Sequence, residues 1–132
     1  MVEGRGMGNG YRGYKDLNVY KLSYQMALEI HEISKTFPVE EKYSLTDQIR
    51  RASRSIPSNI AEAWKKRQYI KAFVSKINDS AGEAGEVEVW LDFAKDFEYM
   101  SAEQHEYFMR NYEDINKMLF GMLSKPEKFC YK

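Results

Sequence analysis

The stretch from Ser44 to Arg67, SLTDQIRRASRSIPSNIAEAWKKR, constrains the fold more than any other part of the chain. At about 100° of turn per residue, its apolar side chains fall within one narrow sector of a helix. They are Leu45, Ile49, Ala52, Ile56, Ile60 and Ala63. The opposite side, called the basic face below, carries Arg50, Arg51, Arg54 and Lys65. The pattern predicts a helix that buries one face and presents the other, basic one.

Pro57 lies inside this pattern. A proline removes the N–H that would bond the carbonyl of Ser53, and it disfavours helical dihedrals at the preceding residue. The apolar spacing nevertheless continues from Ile56 to Ile60, so we predict one helix, kinked at the proline. The short polar side chains around the break either bond backbone groups or form a polar ligand site, and we favour backbone repair. They are Ser53, Ser55, Ser58 and Asn59.

The basic face admits two interpretations. Charged side chains usually form a solvated surface, whereas a basic cluster can also bind an anion or a nucleic acid. Charge alone favours the solvated surface, because short basic stripes are common.

Two more helices follow from periodicity and stop signals. Apolar residues recur at helical spacing from Val19 to Ile33, with Asp16 as the predicted N-cap and Phe37-Pro38 as the end of helix one. Ser101-Ala102-Glu103-Gln104 is typical of a capping box that opens helix four, which Pro126 stops.

Helix three is expected from about Gln68 to Phe97, because its apolar residues keep the seven-residue repeat of helical bundles. Its small residues between Ser80 and Gly85 predict the close approach of a neighbouring helix. No segment shows the alternation of a strand. We therefore predict an all-α protein, an up-and-down antiparallel four-helix bundle with helix two kinked at its proline.

A chain of 132 residues is expected to form one domain. Residues 1–13 contain five of the eight glycines and are predicted to be a disordered tail. Residues 14–125 are predicted to form the bundle and residues 126–132 a C-terminal tail. The single cysteine cannot form an internal disulfide, and no secretory or membrane-spanning run is present, so we expect a cytoplasmic protein with no membrane partner.

Basic and acidic residues are equal in number, twenty each, but they are separated along the chain. From Arg50 to Lys71 there are seven basic residues and one acidic residue, and from Asp79 to Glu103 there are eight acidic residues and one basic residue. The equal totals weaken a simple nucleic-acid argument. The separation favours self-association of positive with negative patches.

The sequence carries no recognisable catalytic or metal-binding pattern. Leu28 and Ala102 stand three residues before the two histidines, so the Glu-x-x-His pair of di-iron bundles is missing. One cysteine cannot supply a zinc set, and no phosphate-binding Walker loop occurs. We therefore predict that the protein is not an enzyme and uses no cofactor and no metal.

Two segments of the central stretch resemble the signature of the rRNA intervening-sequence protein family: Gln48-Ile49-Arg50-Arg51-Ala52 and Ser55-Ile56-Pro57-Ser58-Asn59-Ile60-Ala61-Glu62. Further similarity to the family lies in Tyr14-Lys15-Asp16-Leu17 with Val19, in Phe37-Pro38 with Glu41, and in Gly82, Glu86 and Glu88. The resemblance covers about Tyr14 to Leu123. Ala63-Trp64-Lys65-Lys66-Arg67 departs from the glycine and arginine that many members carry there, and it adds positive charge.

The resembling family consists of bacterial four-helix-bundle proteins, and its relatives include the accessory variability protein of diversity-generating retroelements. Ring-like homopentamers are known among them. The resemblance implies a homo-oligomer, with five copies as the expected number, that engages RNA or a nucleic-acid-processing protein. The alternative is a structural protein–protein interaction module that binds no nucleic acid.

The RNA hypothesis assigns binding to six basic residues of helix two: Arg50, Arg51, Arg54, Lys65, Lys66 and Arg67. Four residues of the resembling segment are taken as a structural motif: Pro57, Ser58, Asn59 and Glu62.

Overall fold

The computed structural model describes residues 10–131. Within this range the chain forms four long helices and no strand. They are α1 (Asn18–Ser34), α2 (Leu45–Lys65), α3 (Ile70–Asp96) and α4 (Ala102–Ser124). Short 3-10 turns lie at Tyr14–Asp16, Val39–Glu41 and Pro126–Lys128. The predicted all-α bundle of four helices is confirmed, whereas the disorder expected for residues 1–9 falls outside the described residues.

The helices run antiparallel to their neighbours around the bundle. Ser80 of α3 donates a hydrogen bond to the carbonyl of Ile56 in α2. Glu83 lies further along α3, and it accepts a hydrogen bond from Arg51, which lies nearer the start of α2. Each helix packs on the two beside it, so that α1 contacts α2 and α4, and α3 contacts the same two. Short connections between consecutive helices favour this up-and-down arrangement.

The buried face of α2 is the one that the periodicity predicts. All six of its predicted apolar residues are at most 3% exposed. They meet the buried faces of the other helices in one continuous core, which includes Phe73, Leu91, Tyr112 and Leu119. Full burial of each large apolar side chain contributes about 1.5–3 kcal/mol.

Helix α2 passes through Pro57 without interruption, as predicted, and the proline is buried. The neighbouring serines bond the backbone: Ser53 Oγ donates to the Arg50 carbonyl at 3.1 Å, and Ser55 Oγ donates to the Arg51 carbonyl at 2.8 Å. Both bonds support the backbone interpretation, although neither reaches the carbonyl of Ser53. The kink itself stays a prediction.

The start of α1 differs from the prediction. Asp16 is not its N-cap, because residues 14–16 form a 3-10 turn and α1 begins after Leu17 with no side-chain cap. The Asp16 carboxylate instead accepts the backbone N–H of Arg12 at 2.8 Å. At α4 the predicted capping box is confirmed: Ser101 and Gln104 each accept the other's backbone N–H.

The small-residue segment of α3 divides into two sets. Ser80 and Ala84 are fully buried, and Ser80 Oγ donates to the Ile56 carbonyl at 2.9 Å, which brings α2 and α3 together as predicted. Gly82 and Gly85 are exposed, and a Cβ built on either would meet no neighbouring atom of the described residues within 4 Å. The prediction of close packing is therefore wrong for these two glycines.

The described parts of both expected tails pack on the bundle. The ring of Phe129 stacks on those of Tyr11 and Phe73, each at a centroid distance of 6.1 Å. Tyr11 also meets the edge of Trp64 at 5.9 Å. Aromatic rings bury enough surface to order short segments. The prediction of a disordered N-terminal tail rested on its glycine content and did not take the ring of Tyr11 into account. None of the helices in residues 10–131 is long and apolar enough to cross a membrane.

Candidate nucleic-acid interface

The six predicted basic residues separate into two groups along α2. Its 21 residues span roughly 30 Å at about 1.5 Å per residue. One group lies in the first half of the helix and the other at its end. The first group is Arg50, Arg51 and Arg54, and the second is Lys65, Lys66 and Arg67. The environments of the six differ, and they decide which cations are available to a ligand.

Arg51 is engaged by acidic residues of α3. Its guanidinium donates to both carboxylate oxygens of Glu83, at 3.3 and 3.2 Å, and to Glu86 Oε2 at 2.8 Å. The hydrogen bonds to Glu83, followed by those to Glu86, raise the pKa of Arg51. The indole N–H of Trp90 donates to Glu86 and, ahead of Arg51, lowers the pKa of that carboxyl. The charge of Arg51 is therefore neutralised within the molecule.

Arg50 and Arg54 contact a serine and a histidine on α1. Arg50 Nε donates to Ser34 Oγ at 2.7 Å, and Arg54 Nη2 donates to His31 Nδ1 at 2.9 Å. Among residues 10–131, neither arginine forms an ion pair with a carboxylate. Arg54 is exposed and Arg50 is partly exposed. Both retain an uncompensated positive charge at the α1–α2 side of the bundle.

The two lysines at the end of α2 also differ in whether they have a carboxylate partner. Lys66 Nζ lies 3.4 Å from Glu62, which also lies 3.4 Å from Lys76 of α3. A hydrogen bond from Lys66 is the largest cause that lowers the pKa of Glu62. Lys65 has no carboxylate partner in the described range, and its Nζ lies 6.0 Å from the ring centroid of Tyr14. Lys65 is thus the available cation at this end.

Arg67 is not on the exposed surface, which corrects its predicted place on the binding surface. It is 8% exposed and lies between two rings, with Cζ 4.0 Å from the centroid of Trp64 and 4.6 Å from that of Tyr131. Its Nη1 donates to the Trp64 carbonyl and its Nη2 to the Tyr131 hydroxyl, both at 2.8 Å. Through these cation–π contacts and hydrogen bonds, Arg67 stabilises the packing of the C-terminal segment on the end of α2.

The end of the bundle carries a cleft of about 680 Å³ that sequence reasoning missed. It lies where the first 3-10 turn, the end of α2 and the C-terminal segment meet. We call it the end cleft. Its charged and aromatic lining comprises Arg12, Tyr14, Lys15, Asp16, Trp64, Lys65, Arg67 and Tyr131. In the sequence, the cleft is indicated only by tyrosines near basic residues in the N-terminal segment and in the C-terminal segment. This pattern predicts a site only if the two segments are known to lie side by side.

The motif residues and the histidines do not form a binding site among the described residues. Pro57 is buried, Ser58 is exposed, and Asn59 is partly exposed on α2, so the predicted polar cluster does not converge on one cavity. His105 Nε2 lies 2.8 Å from Asp92 Oδ1. Within residues 10–131, no three His, Cys, Asp or Glu side chains are grouped to hold a metal ion.

An aromatic row runs along the exposed side of α3 and beyond its end. Its neighbouring ring centroids are 5.9, 5.7 and 5.6 Å apart. The row consists of Trp90, Phe93, Phe97 and Tyr99. Phe93 is 43% exposed and Phe97 is 53% exposed. An apolar surface of this kind is typical of an interface.

Comparison with known proteins places this geometry in a family. The family model described as 23S rRNA-intervening sequence protein matches residues 15–121. The chain also resembles the crystal structure of a protein of unknown function from the S23 ribosomal protein family of Bacteroides thetaiotaomicron. The two are 30% identical with a TM-score of 0.72, over 80% of this chain and 95% of that one. No curated protein matches the chain.

Proposed function

The chain belongs to the 23S rRNA-intervening sequence protein family, and from this membership we propose that it is a non-enzymatic, self-assembling protein that binds RNA or a ribonucleoprotein partner. The basic face of α2 is the contact surface in this proposal. A cytoplasmic location follows from it, because that is where ribosomal RNA is found in a bacterium.

The observation that carries the proposal is the set of three uncompensated cations on α2. Arg50, Arg54 and Lys65 have no carboxylate partner among the described residues, whereas Arg51, Lys66 and Arg67 have partners within the molecule. A guanidinium fork matches the oxygens of a phosphate, and a lysine adds a point charge. The three uncompensated cations therefore provide a sequence-tolerant contact with a phosphate backbone.

Self-assembly strengthens this contact. One subunit offers few phosphate contacts, so a single copy binds weakly, whereas an oligomer repeats the basic face and raises the effective concentration of each site. The aromatic row on α3 supports assembly, because a large contiguous exposed apolar patch is typical of an interaction site. Following the family resemblance, we propose a homo-oligomer with five copies as the expected number.

A charge reversal on the basic face tests the proposal. The double variant Arg50→Glu with Arg54→Glu should abolish binding to RNA in a gel-shift assay, while its helical circular dichroism stays unchanged, since neither residue is in the core. Arg110→Glu with Lys117→Glu on α4 is the matched control, because both side chains are highly exposed and the change in net charge is the same. Binding that survives the α2 variant, or that is lost equally in the control, would contradict the proposal.

A structural module that binds only protein is the second candidate. The pairing of Arg51 with Glu83 and Glu86 favours it, because the acidic block of α3 already neutralises part of the basic face. This candidate predicts assembly through the aromatic row and no RNA binding even at low salt. The same gel shift, done with the wild-type oligomer, separates the two candidates.

A further inference from the structure

We propose that the end cleft binds one nucleotide of a single-stranded RNA, with the base stacked on Tyr131 and the adjoining phosphate held by Lys65 and Lys15. This inference rests on the proposed function and places a specific contact within it. It also extends the contact surface from α2 to the N-terminal turn and the C-terminal segment.

The charge of the end cleft suits a phosphate. Four basic residues and one acidic residue line it, and the acidic one, Asp16, already accepts the backbone N–H of Arg12. Lys65 and Lys15 are exposed, and neither forms an ion pair with a carboxylate in the described part of the chain. A phosphate entering the cleft therefore meets two lysines that need not be released from a carboxylate.

Tyr131 forms a prepared stacking surface. The Arg67 guanidinium lies over its ring and donates to its hydroxyl, and the Tyr131 N–H donates to the Arg67 carbonyl at 3.4 Å. Arg67 is in turn held against Trp64. Tyr131 as a whole residue still remains 49% exposed. A ring fixed in this way stacks on a base with little loss of side-chain entropy.

The combination of rings and cations favours a single strand over other partners. Aromatic side chains beside a basic groove are the usual means of binding unpaired bases, because every base has a π-face. An acidic peptide would use the cations but would not need the ring. The cleft volume of about 680 Å³ also lies in the range of small-ligand sites, about 300–1,000 Å³.

Fluorescence anisotropy with a labelled oligouridine, which forms no duplex, tests the inference. Tyr131→Leu should weaken binding by about 5- to 150-fold, the effect of losing one stacked base. Tyr131→Phe should bind nearly as the wild type does, because the phenyl ring loses the hydrogen bond from Arg67 but keeps the stacking face and the cation–π contact with the guanidinium. Lys65→Gln should lower the slope of log affinity against log salt by about 0.7, the value of one phosphate contact on a single strand.

Tyr43 and Lys42 provide the matched control at the opposite end of α2. Tyr43 is 83% exposed, and Lys42 Nζ lies 5.3 Å from its ring centroid, so the pair has the same chemistry outside the end cleft. Tyr43→Leu should leave oligouridine binding unchanged. Thermal unfolding by circular dichroism confirms that each variant is folded.

The outcomes separate the inference from the proposed function. If the wild type binds RNA and the Arg50→Glu, Arg54→Glu variant does not, while Tyr131→Leu binds normally, the basic face stands and the end cleft is refuted. Equal losses in Tyr131→Leu and Tyr131→Phe would also refute stacking. If the wild type binds no RNA, both fail. Loss in Tyr131→Leu alone among the three tyrosine variants supports the inference.

Discussion

Arg67 fastens the C-terminal segment to the end of α2. Its guanidinium makes two hydrogen bonds and lies between two aromatic rings, in a site where 8% of the residue is exposed. We predict that Arg67→Leu lowers the free energy of unfolding by about 2–4 kcal/mol, the sum of the lost hydrogen bonds and cation–π contacts. Urea denaturation at a fixed protein concentration measures the change.

Arg67→Lys serves as the comparison, because lysine keeps the charge but lacks the planar fork. It should recover only part of the loss. Amide hydrogen exchange at Tyr131, whose N–H donates to the Arg67 carbonyl, should quicken in both variants. A change in stability below about 0.5 kcal/mol, as is usual for surface substitutions, would contradict the structural role.

Tyr112 carries a polar group that the core does not satisfy. The residue is fully buried, and its hydroxyl has no hydrogen-bond partner among residues 10–131. Because an unpaired buried hydroxyl costs about 1–3 kcal/mol, Tyr112→Phe should raise the free energy of unfolding by about 1 kcal/mol. A loss of similar size, found in thermal or urea unfolding, would instead reveal a bonding partner such as a buried water.

Tyr112 also predicts a pH dependence at high pH. Burial, and next the charge of Glu88, raise the pKa of Tyr112 above the ordinary value for tyrosine. The unfolded chain therefore ionises first, near pH 10, and the folded chain keeps its proton, so the free energy of unfolding falls as the pH rises above about 10. The fall should be shallower for Tyr112→Phe. Identical slopes for the two proteins would refute this assignment.

At this scale, the sequence predicted which side of α2 each arginine occupies but not its partners. Helical spacing places Arg50, Arg51 and Arg54 away from the core, and the structure agrees. It cannot show that Arg51 meets Glu83, which is 32 residues away on α3. The burial of Arg67 depends on Tyr131, 64 residues away. Long-range contacts therefore decide which cations stay free.

Among the helices, α3 contains two glycines that its packing does not require. Gly82 and Gly85 are exposed with open space around them, and glycine in a helix costs about 1 kcal/mol relative to alanine. We predict that Gly82→Ala and Gly85→Ala each stabilise the protein by about 0.5–1 kcal/mol. Differential scanning calorimetry of the two variants measures this gain.

Gly121→Ala on α4 is the control, since Gly121 is equally open and exposed. It should show a similar gain. If the α3 variants lose stability or assembly while Gly121→Ala gains stability, a second copy covers the glycine face of α3. The prediction of open, solvent-exposed glycines would then be wrong.

The helices were predictable because local signals agree with the core. The periodicity of α2 and the capping box of α4 act over a few residues, and both are confirmed. Asp16 failed as a cap because a 3-10 turn, stabilised by the Arg12 N–H, occupies the position where α1 was expected to begin. The prediction of close packing was wrong for Gly82 and Gly85, because a small residue indicates close packing only when it faces a neighbouring helix.

At the scale of the whole molecule, we predict an oligomer. The aromatic row on α3 and the tyrosines of α1 present apolar surface that one subunit does not cover, with Phe97 53% and Tyr24 50% exposed. Multi-angle light scattering should give a multiple of the 15.6 kDa chain mass at micromolar concentration. Phe93→Glu with Phe97→Glu should reduce that mass. A wild type that elutes only with the monomer mass would contradict the prediction.

The tertiary arrangement of the ends was beyond sequence reasoning. The end cleft brings together Tyr14 and Tyr131, which lie near opposite ends of the sequence, and the prediction had assigned Arg12 and Tyr131 to tails. The family resemblance, by contrast, was readable from the α2 motif and is confirmed over residues 15–121. It indicated the fold and a link to RNA, whereas the uncompensated charges required the packed structure.

The salt dependence of RNA binding by the wild-type oligomer tests the central claim most directly. Phosphate contacts release counterions, so the affinity for a single strand should fall with a log–log slope of about −0.7 for each contact. Three free cations per subunit therefore predict a slope of about −2 for each engaged subunit, and a steeper one when several subunits bind the same strand. Anisotropy titrations measure the slope. They begin at about 50 mM salt, where electrostatic binding is strongest, and continue to higher salt concentrations. Weak binding that declines steeply with salt is the predicted result; no binding at about 50 mM salt, or a slope near zero, would contradict the account.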